Sequence, residues 1–191
     1  MSGHHYRVFG TAAGFVAIGW NARGISSLRL PERNARDAER AVTKRLPGAV
    51  PADPPVRIAD VIADIRRYFA GEAVDFSVVP VDMGEQSAFF AQVYDHIRRL
   101  DRGETTTYGA IAKALGAGPE FARDVGQAMA TNPVPLIVPC HRVLGAGGKV
   151  GGFSAPGGAS TKARMLELEG VIVAPAGSPV KPAAQQASFG F

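Results

Sequence analysis

Asn132-Pro133-Val134-Pro135-Leu136-Ile137-Val138-Pro139-Cys140-His141-Arg142-Val143 is the stretch on which the reading of this chain turns. Proline has no amide hydrogen and its ring collides with the preceding helical turn, so a run holding Pro133, Pro135 and Pro139 cannot be an ordinary helix. The residues between the prolines are apolar. The run is expected to be buried, rigid and extended, and to deliver Cys140 to a fixed place. Cys140 is the single cysteine, which excludes an internal disulfide and a cysteine-cluster zinc site. A lone cysteine is most often a small buried apolar residue; the alternative is a reactive thiol, and its neighbours decide. A thiol attacks as thiolate, which a nearby base or positive charge favours. His141 is adjacent in sequence, so its side chain normally points away from Cys140, but a turn or one bridging water would connect them. Its other ring nitrogen needs a holder, usually a carboxylate, and Glu169 is a candidate, though adjacent Cys-His pairs also occur in inert cores.

Downstream lies a Gly-rich loop, residues 145–158, then a last helix that Ser160 or Thr161 can cap and that ends at Gly170. Residues 171–191 are rich in Ala, Pro, Gly and Ser and are expected to form a mobile tail. Upstream, a short helix is predicted from about Tyr108 to Leu115. Gly116-Ala117-Gly118 breaks it, and Pro119 opens a second helix through Ala130. Two short helices joined by a tight Gly-containing turn make a helix-turn-helix candidate, though an ordinary helical hairpin has the same pattern. Phe90, Val93, Ile97 and Leu100 recur at helical spacing ahead of it.

Asp82 to Gln86 reads as a boundary, giving units at 1–85 and 86–170. In the first unit Tyr6–Phe9, Gly14–Trp20 and Ile25–Leu30 are strand-like, with Asn21–Gly24 as a turn. Residues 32–46 predict a charged helix and Pro47–Pro55 a loop. Ile58, Val61, Ile62, Ile65 and Phe69 mark an amphipathic helix ended by Gly71, and Asp75–Val81 reads as one more strand. The first unit is thus α/β and the second mainly α.

The chain has 191 residues, 46% of them apolar, enough for a real core. Its 21 basic and 17 acidic residues leave a net charge of +4, compatible with a polyanionic partner without requiring one. No stretch approaches the roughly 20 apolar residues of a membrane span, and the N-terminus lacks a signal pattern, so no membrane role and a cytoplasmic setting are expected. His4 and His5 read as a solvated start rather than a metal site.

Asn132-Pro133 followed by Pro139-Cys140-His141-Arg142-Val143 closely resembles the active-site signature of the O6-alkylguanine-DNA alkyltransferases, also called methylated-DNA–protein-cysteine methyltransferases. Gly103-Glu104-Thr105-Thr106-Thr107-Tyr108-Gly109-Ala110-Ile111-Ala112 is similar to that family's segment entering the helix-turn-helix. Ala122-Arg123-Asp124-Val125-Gly126-Gln127-Ala128-Met129 is similar to its recognition helix, and Lys162 with Glu169-Gly170 to its closing helix. The likeness spans about residues 86–170.

The resemblance implies a ribonuclease H-like α/β N-terminal domain and a winged helix-turn-helix C-terminal domain. It implies a single-turnover repair enzyme that moves an alkyl group from O6 of guanine in double-stranded DNA onto Cys140. His141, through water, would take the thiol proton, with Glu169 orienting it. Tyr108 would donate a proton toward the departing guanine, and Asn132 would fix the turn before the active-site segment. Arg123 would enter the base stack from the minor groove, while Tyr108, Thr107, Ala122 and Gly126 would meet DNA. Met129, the Val143 carbonyl, Phe153 and Ser154 would line the base pocket. No cofactor or metal is implied, because the alkylated base is its own donor, and the protein would act as a monomer. Two other readings are a lesion-binding sensor without transfer and a transcriptional regulator; Cys140 argues against the first, and the lack of a cysteine-rich extension against the second. Three departures stand out: Phe153-Ser154-Ala155-Pro156-Gly157-Gly158 is two residues longer than the family's loop, Tyr94 replaces a usual tryptophan, and Leu100-Asp101-Arg102-Gly103 replaces Ile-Pro-x-Gly. The longer loop bears on which alkyl groups are accepted.

Overall fold

The computed structural model describes residues 3–172, so the expected tail lies almost wholly outside the described residues. β1 (His5–Thr11), β2 (Gly14–Trp20) and β3 (Ile25–Glu32) form an antiparallel meander. A two-residue β4 (Val50–Pro51) pairs in parallel with β1, giving the order β3-β2-β1-β4. Successive side chains of a strand point to opposite faces, and each face finds a helix. Tyr6 and Ala17 meet Ala38 and Val42 of α1 (Ala35–Arg45), which Asn34 caps by accepting from the Asp37 amide at 2.9 Å. Phe9, Val16 and Ile18 face α2 (Val56–Phe69), whose Ile58, Val61, Ile62, Ile65 and Phe69 are all buried, as their spacing predicts. His4 and His5 are half-buried rather than a solvated start: His4 Nδ1 lies 2.9 Å from Ser26 Oγ, and His5 is in β1 beside Trp20.

The strand expected at Asp75–Val81 does not form. Asp75 accepts from both the amide and the hydroxyl of Ser77, which folds a turn there, and only Val81 bridges to Ile25.

The second half is mainly helical. α3 (Ala88–Ile97) starts at the Ser87 cap, and its buried Tyr94 donates to the Ala128 carbonyl at 2.8 Å. β5 (Thr106–Thr107) leads into α4 (Tyr108–Ala114). A Gly116–Gly118 break and a 3-10 turn at Pro119–Phe121 then lead to α5 (Ala122–Thr131). β5 pairs in parallel with β6 (Val143–Leu144), and α6 (Ala159–Leu168) closes the described chain. Neither Ser160 nor Thr161 caps α6. Gly158 holds that position, and the two hydroxyls donate back to the Gly157 and Pro156 carbonyls.

One apolar core runs from Phe9 and Ile18 in the sheet through Ile65 of α2 to Ile97, Ile111, Val125 and Met165. The free edge of β3 is covered by the proline-rich stretch, where the Leu28 amide donates to the Pro133 carbonyl at 3.0 Å. That stretch is buried but not extended. Leu136 takes φ 76°, Pro135 bridges back to Val138, and the Val138 amide donates to the Val134 carbonyl at 2.9 Å. Left-handed φ is costly for a residue with a side chain, and burial of Leu136 and Ile137 in the core holds the turn in place. Among the described residues no helix is long and apolar enough to cross a membrane, and no cluster of three or more His, Cys, Asp or Glu could hold a metal.

Candidate active site around Cys140

The turn places Cys140 at the start of a short 3-10 segment, Cys140–Arg142, with 3% of its surface exposed. Asn132, at the C-terminal end of α5, fixes that turn from inside. Its Nδ2 donates to the Val138 carbonyl at 2.8 Å and its Oδ1 accepts from the Val134 amide at 3.0 Å. Burial pushes the Cys140 thiol up; the Asn132 amide, the Lys162 charge and the neighbouring backbone N–H groups oppose that shift.

His141 and Arg142, the next two residues of the segment, both meet Glu169. His141 Nε2 lies 2.7 Å from Glu169 Oε1. Arg142 grips the same carboxylate with two donors, Nε to Oε2 at 2.8 Å and Nη2 to Oε1 at 3.0 Å. The Gly103 amide donates to Oε2 at 3.1 Å and the Tyr68 hydroxyl to Oε1 at 3.2 Å. Gly103 has φ 79°, and a Cβ there would sit 3.0 Å from the Glu169 carbonyl, so the loop preceding α4 needs glycine even though its other residues depart from the family pattern.

Burial alone would raise the Glu169 carboxyl, but the bonds from His141 and Arg142 more than offset it and hold it well below the usual carboxylate range. Burial lowers His141 despite Glu169. The pair is therefore a neutral imidazole donating Nε2–H to a carboxylate. That tautomer leaves the lone pair on Nδ1, which is buried and without a hydrogen-bond partner among the described residues.

Two cavities open on Cys140. The larger, about 380 Å³, is walled by Tyr108, Gly126, Met129, Phe153, Ser154 and Lys162. The smaller, about 260 Å³, is walled by Asn132, Pro135, the Phe153–Pro156 loop and two arginines of the first half, Arg29 and Arg45. Lys162 is buried at 1% exposure; its Nζ donates to the Val143 carbonyl and lies 3.5 Å from the Tyr108 hydroxyl and over the Tyr108 and Phe153 rings. Burial brings its ammonium down to about 8, with the Cys140 charge acting the other way.

Of the residues singled out in the sequence, Cys140, Asn132, Tyr108, Gly126, Met129, Phe153 and Ser154 converge on the cavities, and His141 and Glu169 pair behind them. Val143 lines neither cavity, and its carbonyl accepts from Lys162. Thr107 caps α4, its Oγ1 accepting from the Ala110 amide at 3.1 Å. Ala122 and Arg123 begin α5 away from the cavities, with Arg123 exposed. Sequence reading missed the roles of Tyr68 and Arg142 at Glu169 and of Arg29 and Arg45 beside Cys140. Tyr68 gave no signal, since it falls among the apolar positions of α2.

A buried cysteine on the wall of cavities large enough for a base, followed in sequence by a histidine paired with a carboxylate, can act as a hydrolytic nucleophile or accept a group onto sulfur. Comparison with known proteins says which. Residues 88–171 match the family model for the 6-O-methylguanine DNA methyltransferase DNA binding domain. A methylated-DNA–protein-cysteine methyltransferase of Mycobacterium tuberculosis is 34% identical over 165 residues, 86% of this chain and 92% of that protein. One from Methanothermobacter thermautotrophicus is 37% identical over 63% of this chain, which spans only 65% of that relative. The crystal structure of Mycobacterium tuberculosis OGT in complex with DNA superposes with TM-score 0.70 at 32% identity, covering 87% of this chain and 93% of that one. The chain belongs to the methylated-DNA–protein-cysteine methyltransferase family, and it is an enzyme of that class.

Proposed function

We propose that this protein repairs DNA by moving the alkyl group of O6-alkylguanine to Cys140, once per molecule. The observation that carries the reading is Cys140 set between a purine-sized cavity and the His141–Glu169 pair. His141 Nδ1 takes the thiol proton through a water, and Glu169, held ionised by Arg142, supports the imidazolium that results. The thiolate attacks the alkyl carbon: an S–C bond forms, the C–O6 bond breaks, and the electron pair moves into the guanine. Tyr108 returns a proton to the base, assisted by the Lys162 charge at 3.5 Å. The thioether is stable to water and to thiols, and the chain has no second cysteine to accept another group, so turnover stops at one. No cofactor enters this scheme.

O6 of guanine lies inside the duplex, so the nucleotide must be flipped out, at a cost of a few kcal/mol that a badly paired lesion reduces. In this reading residues 1–85 are a ribonuclease H-like domain and residues 86–170 a winged helix-turn-helix domain. α4 and α5 form its helix-turn-helix, and α5 enters the minor groove. Arg123 fills the gap in the stack, and Ala122, Gly126, Thr107 and Tyr108 lie against the strand. A Cβ on Gly126 would meet nothing within 4 Å, so this chain's own packing does not require glycine there, and in this reading the small residue serves the close approach of the DNA strand. We read the protein as a cytoplasmic monomer. Incubation with excess duplex bearing labelled O6-methylguanine tests the scheme: label per chain should plateau at one, and binding without uptake of label would make the protein a sensor.

A further inference from the structure

The smaller cavity beside Cys140 has a cationic wall that methyl transfer does not use. Arg29 of β3 and Arg45 at the end of α1 both face it, with Pro135 and the long Phe153–Pro156 loop. Among the described residues neither arginine makes an ion pair, and Arg29 Nε is buried without a hydrogen-bond partner. Burial, and then the Arg45 charge, lower Arg29; the Glu32 carboxylate opposes them from beyond ion-pairing distance. A half-buried guanidinium with an unpartnered Nε beside an exposed one, neither in an ion pair among the described residues, offers a site for an anion.

The position of this site says which anion. Cys140 is common to both cavities, so a purine seated in the larger one, among Tyr108, Met129 and Phe153, can send its O6 substituent past the sulfur into the smaller one. A methyl group has no charge to engage the arginines, whereas a substituent that ends in a carboxylate does.

We propose that Arg29 and Arg45 form an anion subsite that takes the carboxylate of an acidic O6-alkyl group, carboxymethyl being the smallest. This rests on the alkyl-transfer reading above. The chemistry is unchanged: the Cys140 thiolate attacks the methylene carbon, the S–CH2 bond forms, and the CH2–O6 bond breaks. The electron pair goes to the guanine, which is reprotonated, and the thiol proton leaves through His141. The product is S-carboxymethylcysteine plus guanine, with the carboxylate still on the arginines.

The test compares two lesions of equal size in the same duplex, O6-carboxymethylguanine and its neutral amide, O6-carbamoylmethylguanine, by single-turnover transfer rates. The wild-type protein should transfer the acid faster than the amide. In Arg29→Gln and Arg45→Gln the acid-to-amide rate ratio should fall by about tenfold, the scale of a charge-assisted pair, and Arg29→Lys should restore part of it. A ratio unchanged in both Gln variants overturns the subsite. An equal fall of both rates with weaker duplex binding also overturns it, because the anion is then a DNA phosphate. Failure of the wild-type protein to transfer even methyl removes the parent reading, and the subsite with it; that result is distinct, since it needs no variant.

Discussion

Replacing Arg142 with methionine tests the electrostatic logic of the site. The substitution keeps an unbranched apolar stem and removes the two donors, at 2.8 and 3.0 Å, that neutralise Glu169, a carboxylate whose side chain is 0% exposed. Among the described residues only His141, Tyr68 and the Gly103 amide then bond to that charge, and none is a fixed cation. Breaking a buried pair by removing one partner costs about 3–5 kcal/mol. The Leu100 carbonyl, which also accepts from Arg142, adds about 1 kcal/mol. The 10% exposure of Arg142 places the total toward the low end of that sum, about 4–5 kcal/mol. Urea unfolding at neutral pH should show this loss with unchanged m-value. The sign with pH follows from the direction of the shift. Glu169 in the wild type lies below its ordinary 4.5, so the pair's contribution is complete above that pH and fades as pH falls through the depressed native value. In the variant the carboxyl rises, protonation relieves the unpaired charge, and the deficit narrows on acidification. A loss under about 1 kcal/mol at neutral pH would refute the reasoning, because Glu169 would then stay ionised without its cation.

Other expectations follow from the same contacts. Gly126→Ala should stabilise the fold by about 0.5–1 kcal/mol, as in any helix interior, yet weaken binding to duplex DNA; thermal melts and a binding titration read the two effects separately. Arg123→Ala should change stability by less than about 0.5 kcal/mol and slow transfer from duplex DNA, while leaving transfer from a free alkylguanine base unaffected. Lys162→Met should raise the pH midpoint of Cys140 ionisation, read from thiolate absorbance. Since burial brings the wild-type ammonium down to about 8, the wild-type rate advantage over the variant should shrink as pH rises through that value. Asn132→Ala removes both braces of the Cys140 turn and should cost about 1–3 kcal/mol by denaturant unfolding, with a larger loss of transfer rate.

Runs rich in β-branched and aromatic residues made β2 and β3 legible, and the helical spacing of Ile58 to Phe69 made α2 legible, because each signal is local. The strand expected at Asp75–Val81 failed because a carboxylate two residues from Ser77 turned the chain, a competition that apolar pattern does not register. The proline-rich stretch was legible as buried and non-helical. Its turn was not, since it depends on Asn132 bonding at once to Val134 and Val138 and on the left-handed Leu136. In the site, Cys140, His141 and Glu169 could be picked out because a motif holds them. Tyr68 comes from α2, 73 residues before His141, and its period marks it as core, so only tertiary folding shows its hydroxyl at Glu169. Arg29 and Arg45 look like ordinary surface charges until the fold brings them to the wall of a cavity that Cys140 also lines.

The most direct test of the central claim is the intact mass and peptide map of the protein after incubation with duplex DNA carrying one O6-methylguanine. The account predicts a single added methyl, located on Cys140 and absent from Cys140→Ala. An unmodified Cys140 in protein that still binds the lesion, or a methyl on any other residue, would contradict it.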